Sequence, residues 1–200
     1  MTSLQLIKIM LDKKNINAIR KNLTDYDKKR LDIIKRSNTA LHYSKRIIFA
    51  LHRKNIKEAT EKMKDVEKSF KEIAVKYKNE PKIFNEGAYK AALEEYVEAK
   101  MFFNFLEGKK LGKISEVEVP PFIYIAGLGD VPGEMLRYAV MSATNKDFEM
   151  VEKCVDSASE IVGEMIEFNL TSYLRTKFDQ AKGAVRKLEQ VRYEVSLRNN

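Results

Sequence analysis

Apolar residues recur every three or four positions along most of the chain, a spacing that predicts α-helices. Alternation with period two, which would predict strands, never extends beyond a few residues. The pattern predicts a first helix over 3–23 and a second that starts at a capping pair, Thr24 and Asp25, and ends near Arg53. Two more helices follow, over 56–78 and about 84–107. The core face of the second helix is assigned to Leu31, Ile34, Leu41, Ile48 and Leu51.

The second half of the chain starts with a stretch that has no helical period. "GKKLGKISEVEVPP" (108–121) is typical of an extended loop. The next segment, 121–145, predicts one or two helices with a break or kink at 129–133, because proline and glycine disfavour helix interiors. Two final helices are expected over 146–169 and 170–199. The sequence therefore predicts one all-α domain over 1–200, a bundle of about seven helices.

Composition narrows the class of protein. The single cysteine, Cys154, excludes an intrachain disulfide and a cysteine-cluster metal site. No apolar run approaches the roughly 20 residues that a membrane span needs, so no membrane association is expected. The N-terminal stretch "MTSLQLIKIMLDKK" lacks the basic start and the cleavage site of a signal peptide. We expect a cytoplasmic protein.

Positive charge is concentrated in the first part of the chain. The net charge is +8, and residues 1–80 carry 21 Lys and Arg against 10 Asp and Glu, whereas residues 81–200 carry 16 against 19. The two parts therefore have charges of +11 and −3. Such a division favours a surface that meets polyanions. A lysine-rich composition that serves only solubility explains the same numbers, and charge alone does not separate the two.

The fourth predicted helix places glutamates where a packing face is expected. Rotation by about 100° per residue puts Glu95 of "LEEYVEA" (93–99) in the middle of the apolar face, with Glu98 at the edge of that face and Glu94 pointing to solvent. A buried carboxylate needs a cation or strong donors. The ordinary explanation is an ion pair with Arg or Lys of a neighbouring helix. The alternative is a metal-binding or catalytic pair of carboxylates.

A second acidic group occurs in "GDVPGEMLRYAV". Asp130 and Glu134 are four residues apart and share a helical stripe with Arg137. Ordinary roles are available for both, since Asp130 is a candidate N-cap and Glu134 a candidate partner of Arg137. Together with Glu95 and Glu98, however, they provide four oxygen ligands of the kind that Mg²⁺ or Mn²⁺ prefers. A di-iron bundle is excluded, because no Glu-x-x-His motif is present.

Three ordered segments resemble the translin family, on the side of translin-associated factor X (TRAX) and its archaeal, homo-oligomeric type. They are "SKRIIFALHR" (44–53), "LEEYVEA" (93–99) and "YIAGLGDVPGEMLRYAV" (124–140), and the tail "KFDQAKGAVRKLEQVRYEVSLRN" is similar to the family's last helix. The resemblance implies a seven-helix protomer in a closed, shell-like homo-oligomer, an octamer or hexamer. It also implies binding of single-stranded or structured RNA and of single-stranded DNA, and Mg²⁺-dependent (or Mn²⁺-dependent) endoribonuclease activity.

The resemblance also implies the site residues. The TRAX catalytic carboxylates fall on Glu95, Glu98 and Asp130, with Glu134 as an accompanying metal ligand. Translin proper lacks the aspartate and is a non-catalytic binding partner, whereas this chain retains it. The chain departs from the family pattern at Pro132, where a residue other than proline is usual, and at Gly129, where alanine is usual. Because proline removes a backbone donor, we expect Pro132 to shift Asp130 relative to Glu134.

RNA-binding candidates are the basic side chains of the second predicted helix, which would contact phosphates and make binding dependent on salt. Tyr43 is nearby for base stacking. The ordinary alternative is a solvated face for each Lys or Arg and a structural role for His42 and His52. The alternative functions are a non-catalytic single-strand-binding protein like translin and a helical adaptor whose acidic groups are all in salt bridges. The candidates are Arg30, Lys35, Arg36, Lys45, Arg46, His52 and Arg53.

Overall fold

The computed structural model describes residues 11–198, which form six α-helices and one short 3₁₀ helix and contain no strand. The all-α prediction is confirmed, and the number of helices is close to the predicted seven. None of the described helices has the length and apolar character that crossing a membrane requires. The helices are α1 (Lys13–His52), α2 (Ile56–Lys76), α3 (Gly87–Leu106), α4 (Pro121–Thr144), α5 (Phe148–Ile166) and α6 (Ser172–Arg198), with the 3₁₀ helix at Pro81–Asn85 before α3.

The first 40 residues of regular structure form one helix where two were predicted. Helix α1 starts after Asp12, whose side chain accepts hydrogen bonds from the backbone N–H groups of Lys14 and Asn15. Thr24, predicted to cap a second helix, lies inside α1 and donates its hydroxyl to the carbonyl of Arg20 at 2.9 Å. A threonine that bonds back to the preceding turn is compatible with a helix interior. The part of the predicted first helix over 3–10 lies outside the described residues.

The buried face of α1 also differs from the prediction. Its buried residues repeat at intervals of three and four, as helical packing requires, but several of them are small. Leu31, assigned to the core, is 64% exposed. The prediction is confirmed at Ile48 and Leu51, which are buried, and is wrong at Leu31. A pattern of large apolar residues also overlooks the small buried ones. The buried stripe is Ile33, Ser37, Ala40, Ser44, Ile47, Ile48 and Leu51.

Helix α4 is continuous through Pro132, so of the predicted alternatives a single helix is confirmed and a break at 129–133 is wrong. Pro132 is buried within the helix together with Val131 and Met135. An internal proline removes one backbone hydrogen bond and costs about 3 kcal/mol in an isolated helix. Burial of the surrounding face supplies the compensating packing. Asp130 and Glu134 therefore lie one helical turn apart on a single helix, and Asp130 is not an N-cap.

The helices pack as a bundle in which α3 and α4 are central. Helix α1 packs against α2 and α3, α3 packs against α4, and α4 packs against α5 and α6. The contact between α3 and α4 is close at Gly127: a Cβ atom there would lie 2.6 Å from the carbonyl oxygen of Glu94 and 2.7 Å from the Cβ of Val97. Only glycine fits at this crossing. The close approach brings the acidic stretch of α3 against the acidic stretch of α4.

Candidate active site

Five carboxylates meet between α3 and α4. Helix α3 carries Glu94, Glu95 and Glu98, and α4 carries Asp130 and Glu134. The structure thus brings together the four side chains that the sequence proposed as metal ligands. Burial raises the pKa of Glu95, and the charges of Asp130 and Glu134 raise it further. These pKa shifts mean that the carboxylates on the two helices act on one another as a single electrostatic cluster.

Glu95 is the most accessible of the α3 carboxylates to a cation from α1. Its side chain is 20% exposed, and its Oε2 lies 3.9 Å from the Nζ of Lys45. Lys45 is itself 61% exposed. The ion pair that the sequence left open as the ordinary explanation therefore exists, but it is long and solvent-facing, and such a pair contributes little to stability.

The surroundings of Glu98 disfavour its ionised form more strongly. Burial raises its pKa to about 9, with Asp130, Glu95 and Glu134 adding repulsion and Lys177 partly opposing them. Within residues 11–198, the side chain of Glu98 forms no salt bridge. A half-buried carboxyl group in such a field is neutral at physiological pH unless a cation binds beside it.

Asp130 is held by a lysine from α6. The Nζ of Lys177 donates to Asp130 Oδ2 at 2.6 Å and lies 2.8 Å from Oε1 of Glu94. The hydroxyl of Tyr173 also donates to Glu94, at 2.6 Å. Glu94 was predicted to be solvated; instead its side chain is 15% exposed and paired. The prediction is wrong because rotation about α3 alone gives no sign that α6 covers that side.

Glu134 is bound by His52 at the end of α1. His52 Nε2 forms a hydrogen bond with Glu134 Oε2. The imidazole is 4% exposed and packs against Phe102 and Tyr138, with ring centroids 5.1 and 5.9 Å away. His52 is therefore removed from the set of candidate RNA contacts, because its burial leaves no surface for a ligand. The predicted partner Arg137 also contacts Glu134, at 3.9 Å.

The carboxylates are the right kind of ligand for a divalent cation, but their present positions do not yet form a binding site. Their oxygens are the ligands that Mg²⁺ and Mn²⁺ prefer, and Glu98 lacks the counter-charge that a cation would provide. Within residues 11–198, however, no three acidic, histidine or cysteine side chains already converge on one point. Asp130 and Glu134 are turned toward Lys177 and His52 instead. The residues fit the metal provided that these side chains reorient.

An open cavity of about 380 Å³ gives access to part of this cluster. It lies where α1, α3, α4 and α6 meet. Its wall combines three carboxylates, the lysines Lys90 and Lys177 and apolar surface, a combination suited to a polar ligand that carries a cation. Its lining includes Leu41, Glu94, Glu95, Asp130, Tyr173 and Lys177.

The remaining basic candidates lie on the outer face of α1, and most are engaged in exposed ion pairs. Arg30 pairs with Glu86 at 3.0 Å. Arg36 pairs with Asp32 at 3.0 Å. Arg46 and Arg53 share Glu58, at 2.7 and 3.1 Å.

Lys35 is exposed and belongs to the same helix. Exposed pairs of this kind exchange partners at small cost, so they leave the α1 surface basic.

Sequence reasoning missed two groups at the site. Lys177 and Tyr173 belong to a helix that lies 39 or more residues beyond the last of the carboxylates, Glu134, and no spacing rule connects them. The other group is Phe49, which is 52% exposed although it sits among core residues in the sequence. The guanidinium carbons of Arg53 and Arg137 lie 4.8 and 5.9 Å from its ring centroid. The run "IIFALHR" gave the signal, because three consecutive apolar residues cannot all face one side of a helix.

The Translin family model matches residues 28–199, which include every candidate carboxylate. The chain belongs to the Translin family. No curated protein sequence matches it significantly. Among solved structures, the duplex RNA complex of AfC3PO superposes with a TM-score of 0.85 at 23% identity, over 92% of this chain and 97% of that one.

Two further structures show the same family fold. AfC3PO alone gives a TM-score of 0.84 at 24% identity, over 92% of this chain and 97% of that one. The crystal structure of apo-NeC3PO gives 0.82 at 21% identity, over 93% and 98%. Similarity at these identities establishes the translin fold of the chain, while the activity has to be argued from the site.

Proposed function

We propose that this protein is a TRAX-like, metal-dependent endoribonuclease that binds and cleaves single-stranded or structured RNA. The observation that carries the proposal is the acidic cluster between α3 and α4, in which burial and three neighbouring carboxylates raise the pKa of Glu98 to about 9. Such a cluster destabilises the metal-free fold, and strongly perturbed carboxyl groups in a cleft are typical of functional sites.

In the proposed reaction the residues of the site have separate roles. Glu95, Glu98 and Asp130 would hold the divalent ion, with Glu134 as a fourth ligand that the hydrogen bond to His52 orients. Mg²⁺ or Mn²⁺, when bound, supplies activation of water and neutralisation of charge on the phosphodiester. Imidazole acid–base chemistry is not proposed, because His52 is buried against aromatic rings and His42 is exposed on α1 away from the cluster.

The RNA would approach along α1 and α4. Lys45 lies beside Glu95, and Arg137 and Arg53 flank the exposed ring of Phe49. Cationic groups next to the carboxylates would bind the phosphates on either side of the scissile bond. An exposed aromatic ring between two guanidinium groups suits stacking of an unpaired base, so Phe49 replaces Tyr43 as the preferred stacking candidate. Single-stranded DNA offers the same phosphates and bases and is a proposed second ligand.

The proposal extends to assembly and location. A homo-oligomeric shell, as the family resemblance implies, would agree with the exposed apolar side chains of α1 such as Leu23 and Leu31. A cytoplasmic location agrees with the one free, buried cysteine, Cys154. Native mass spectrometry of the purified protein tests the oligomer and distinguishes a hexamer from an octamer.

The activity is tested by cleavage of a fluorescent single-stranded RNA with Mg²⁺, with EDTA, and with Asp130→Asn. We expect cleavage by the wild type with Mg²⁺ only, and loss of at least a hundredfold in the variant, because the carboxylate binds the ion directly. Asp179→Asn is the matched control, since Asp179 is 52% exposed on α6 and pairs only with Arg175.

Binding of the same RNA separates the alternatives. If the wild type and Asp130→Asn bind RNA equally and the wild type does not cut it with Mg²⁺, the enzyme proposal fails and a translin-like binding protein remains. If the wild type does not bind RNA at low salt, both nucleic-acid functions fail. The adaptor with salt-bridged acidic groups then becomes the better explanation, because Glu94, Asp130 and Glu134 are all paired.

A further inference from the structure

Lys177 connects the two acidic helices through one ammonium group. Its Nζ lies 2.6 Å from Oδ2 of Asp130 on α4 and 2.8 Å from Oε1 of Glu94 on α3. The side chains of Lys177, Glu94 and Asp130 are 14%, 15% and 22% exposed. These contacts are short and shielded from solvent, unlike the exposed pairs of α1, and therefore hold the ammonium in place.

The backbone of α6 is fixed at this lysine. A Cβ atom on Gly129 would lie 3.2 Å from the Cβ of Lys177, so α6 rests directly on α4 one residue before Asp130. One turn earlier on α6, Tyr173 donates to Glu94, and its ring centroid lies 5.2 Å from the ammonium. Contacts on both sides thus fix the position of Lys177 and keep its ammonium group within hydrogen-bond distance of Asp130.

We propose that Lys177 is the internal counterion of the metal-free site: its ammonium holds Asp130, competes with the divalent ion for that carboxylate, and transfers to Glu94 when the ion binds. The inference rests on the proposed metal-dependent function. An oxygen that accepts a short hydrogen bond from an ammonium group has less electron density for a metal, and two cations at one carboxylate repel each other. Lys177 is a positioning residue in this scheme, because it acts through Asp130.

The scheme gives Glu94 a purpose that the metal-ligand set does not. Glu94 already contacts the ammonium, so the lysine can release Asp130 by a small movement and stay paired. Tyr173 keeps the receiving carboxylate oriented through its hydrogen bond. Glu94, the first glutamate of "LEEYVEA", then binds the lysine in the metal-bound protein.

The test is titration of the full-length protein with Mn²⁺ by isothermal titration calorimetry at low ionic strength. Lys177→Met removes the charge and keeps the length of the side chain. We expect it to bind Mn²⁺ about tenfold more tightly than the wild type, because a neighbouring cation is gone. Lys187→Met is the control, since Lys187 is exposed on the same helix, and its affinity should equal that of the wild type.

Thermal unfolding in EDTA gives a second readout. Lys177→Met should have a lower Tm than the wild type without metal and gain more from saturating Mn²⁺. If it misfolds, Lys177→Gln removes the charge while retaining a hydrogen-bond donor and replaces it in both measurements. Unchanged or weaker Mn²⁺ affinity in the neutral variant overturns the inference.

Glu94→Gln tests the transfer. It should weaken Mn²⁺ binding in the wild-type background and have a much smaller effect in Lys177→Met, because Glu94 acts through the lysine. Equal effects in both backgrounds overturn this step. Wild-type protein that binds Mn²⁺ and cuts RNA, combined with unchanged affinity in Lys177→Met, contradicts the counterion role alone. Absence of Mn²⁺ binding in every variant, with no cleavage, contradicts both the inference and the proposed function.

Discussion

The carboxyl group of Glu98 is a proton acceptor whose affinity changes greatly on folding. Its pKa is raised from 4.5 to about 9 by burial and by Asp130, Glu95 and Glu134. The folded, metal-free protein therefore holds a proton that the unfolded chain releases above pH 4.5. Because folding raises the pKa of this carboxyl group, the stability that its bound proton provides is complete below about pH 4.5. That stability is lost progressively as the pH rises toward 9.

Replacement of the Glu98 carboxyl group by a neutral amide should remove the loss of stability at rising pH. We expect Glu98→Gln to be more stable than the wild type by about 1–3 kcal/mol at pH 8 in EDTA, and the difference to shrink toward pH 5. Denaturation by urea at pH 5, 6.5 and 8 measures it. The control is Glu164→Gln on the exposed side of α5. A stability difference that does not change with pH would show that Glu98 is not in the field described.

Helical rotation from sequence was sufficient to place Glu95 and Glu98 on a packing face, because their apolar neighbours are near in sequence. Asp130 and Glu134 were not singled out by rotation, and their role as candidates came from the family resemblance. Rotation failed for Glu94, whose environment is created by α6. For His52 the sequence left an RNA contact and a structural role open, and Phe102 and Tyr138, which pack against the imidazole, decide for the structural role. Partners from distant helices are set by tertiary packing, which local pattern does not contain.

At the scale of the element, the crossing of α3 and α4 sets the spacing of the site. Gly127 lets the carbonyl of Glu94 approach the backbone of α4. The carboxylates of both helices flank this crossing, so any change in the distance between the helix axes moves them apart.

A methyl group at the crossing should therefore damage both fold and site. We expect Gly127→Ala to lower the free energy of unfolding by about 1–3 kcal/mol through overpacking, and to weaken Mn²⁺ binding. Gly133→Ala is the matched control on the same helix: its Cβ would meet no atom within 4 Å, and a helix-interior Gly→Ala change should stabilise the protein by about 0.5–1 kcal/mol. Urea denaturation of the two variants checks the expectation, and equal effects would contradict it.

The elements themselves were predictable where the sequence carries strong stop signals. Helix α1 ends at His52 as expected, and Lys54 adopts φ 58° in the turn that follows. The two errors in helix boundaries share one cause. A local preference, for a cap at Thr24 and for a break at Pro132, was weaker than the packing of a long buried face.

On the scale of the whole molecule, charge is divided between two parts of the surface. Residues 1–80 have a net charge of +11, and α1 presents Lys35, Lys45 and Arg53 to solvent. The acidic cluster lies in the neighbouring cleft. This division allows a polyanion to bind along α1 while one phosphate reaches a cation held by the carboxylates.

Affinity for RNA should therefore depend steeply on salt. We expect a linear fall of log affinity with log salt concentration, and a slope smaller by about 0.7 in Arg53→Gln, the value for one phosphate contact on a single strand. Fluorescence anisotropy with a short single-stranded RNA in EDTA measures both slopes, with Lys187→Gln as the control. An affinity that does not respond to salt would contradict a phosphate-binding surface on α1.

The length of α1 has a consequence for how the protein reaches its structure. Its 40 residues extend over about 60 Å at 1.5 Å per residue, yet its buried residues all lie between Ile33 and His52. Nucleating a helix is costly, whereas extending one is cheap. We therefore expect the packed half to form first, together with α2 and α3, and the turns before it to extend from that nucleus toward Asp12. The first turns of the longest helix to form are then those in the middle of its sequence, not those at its start.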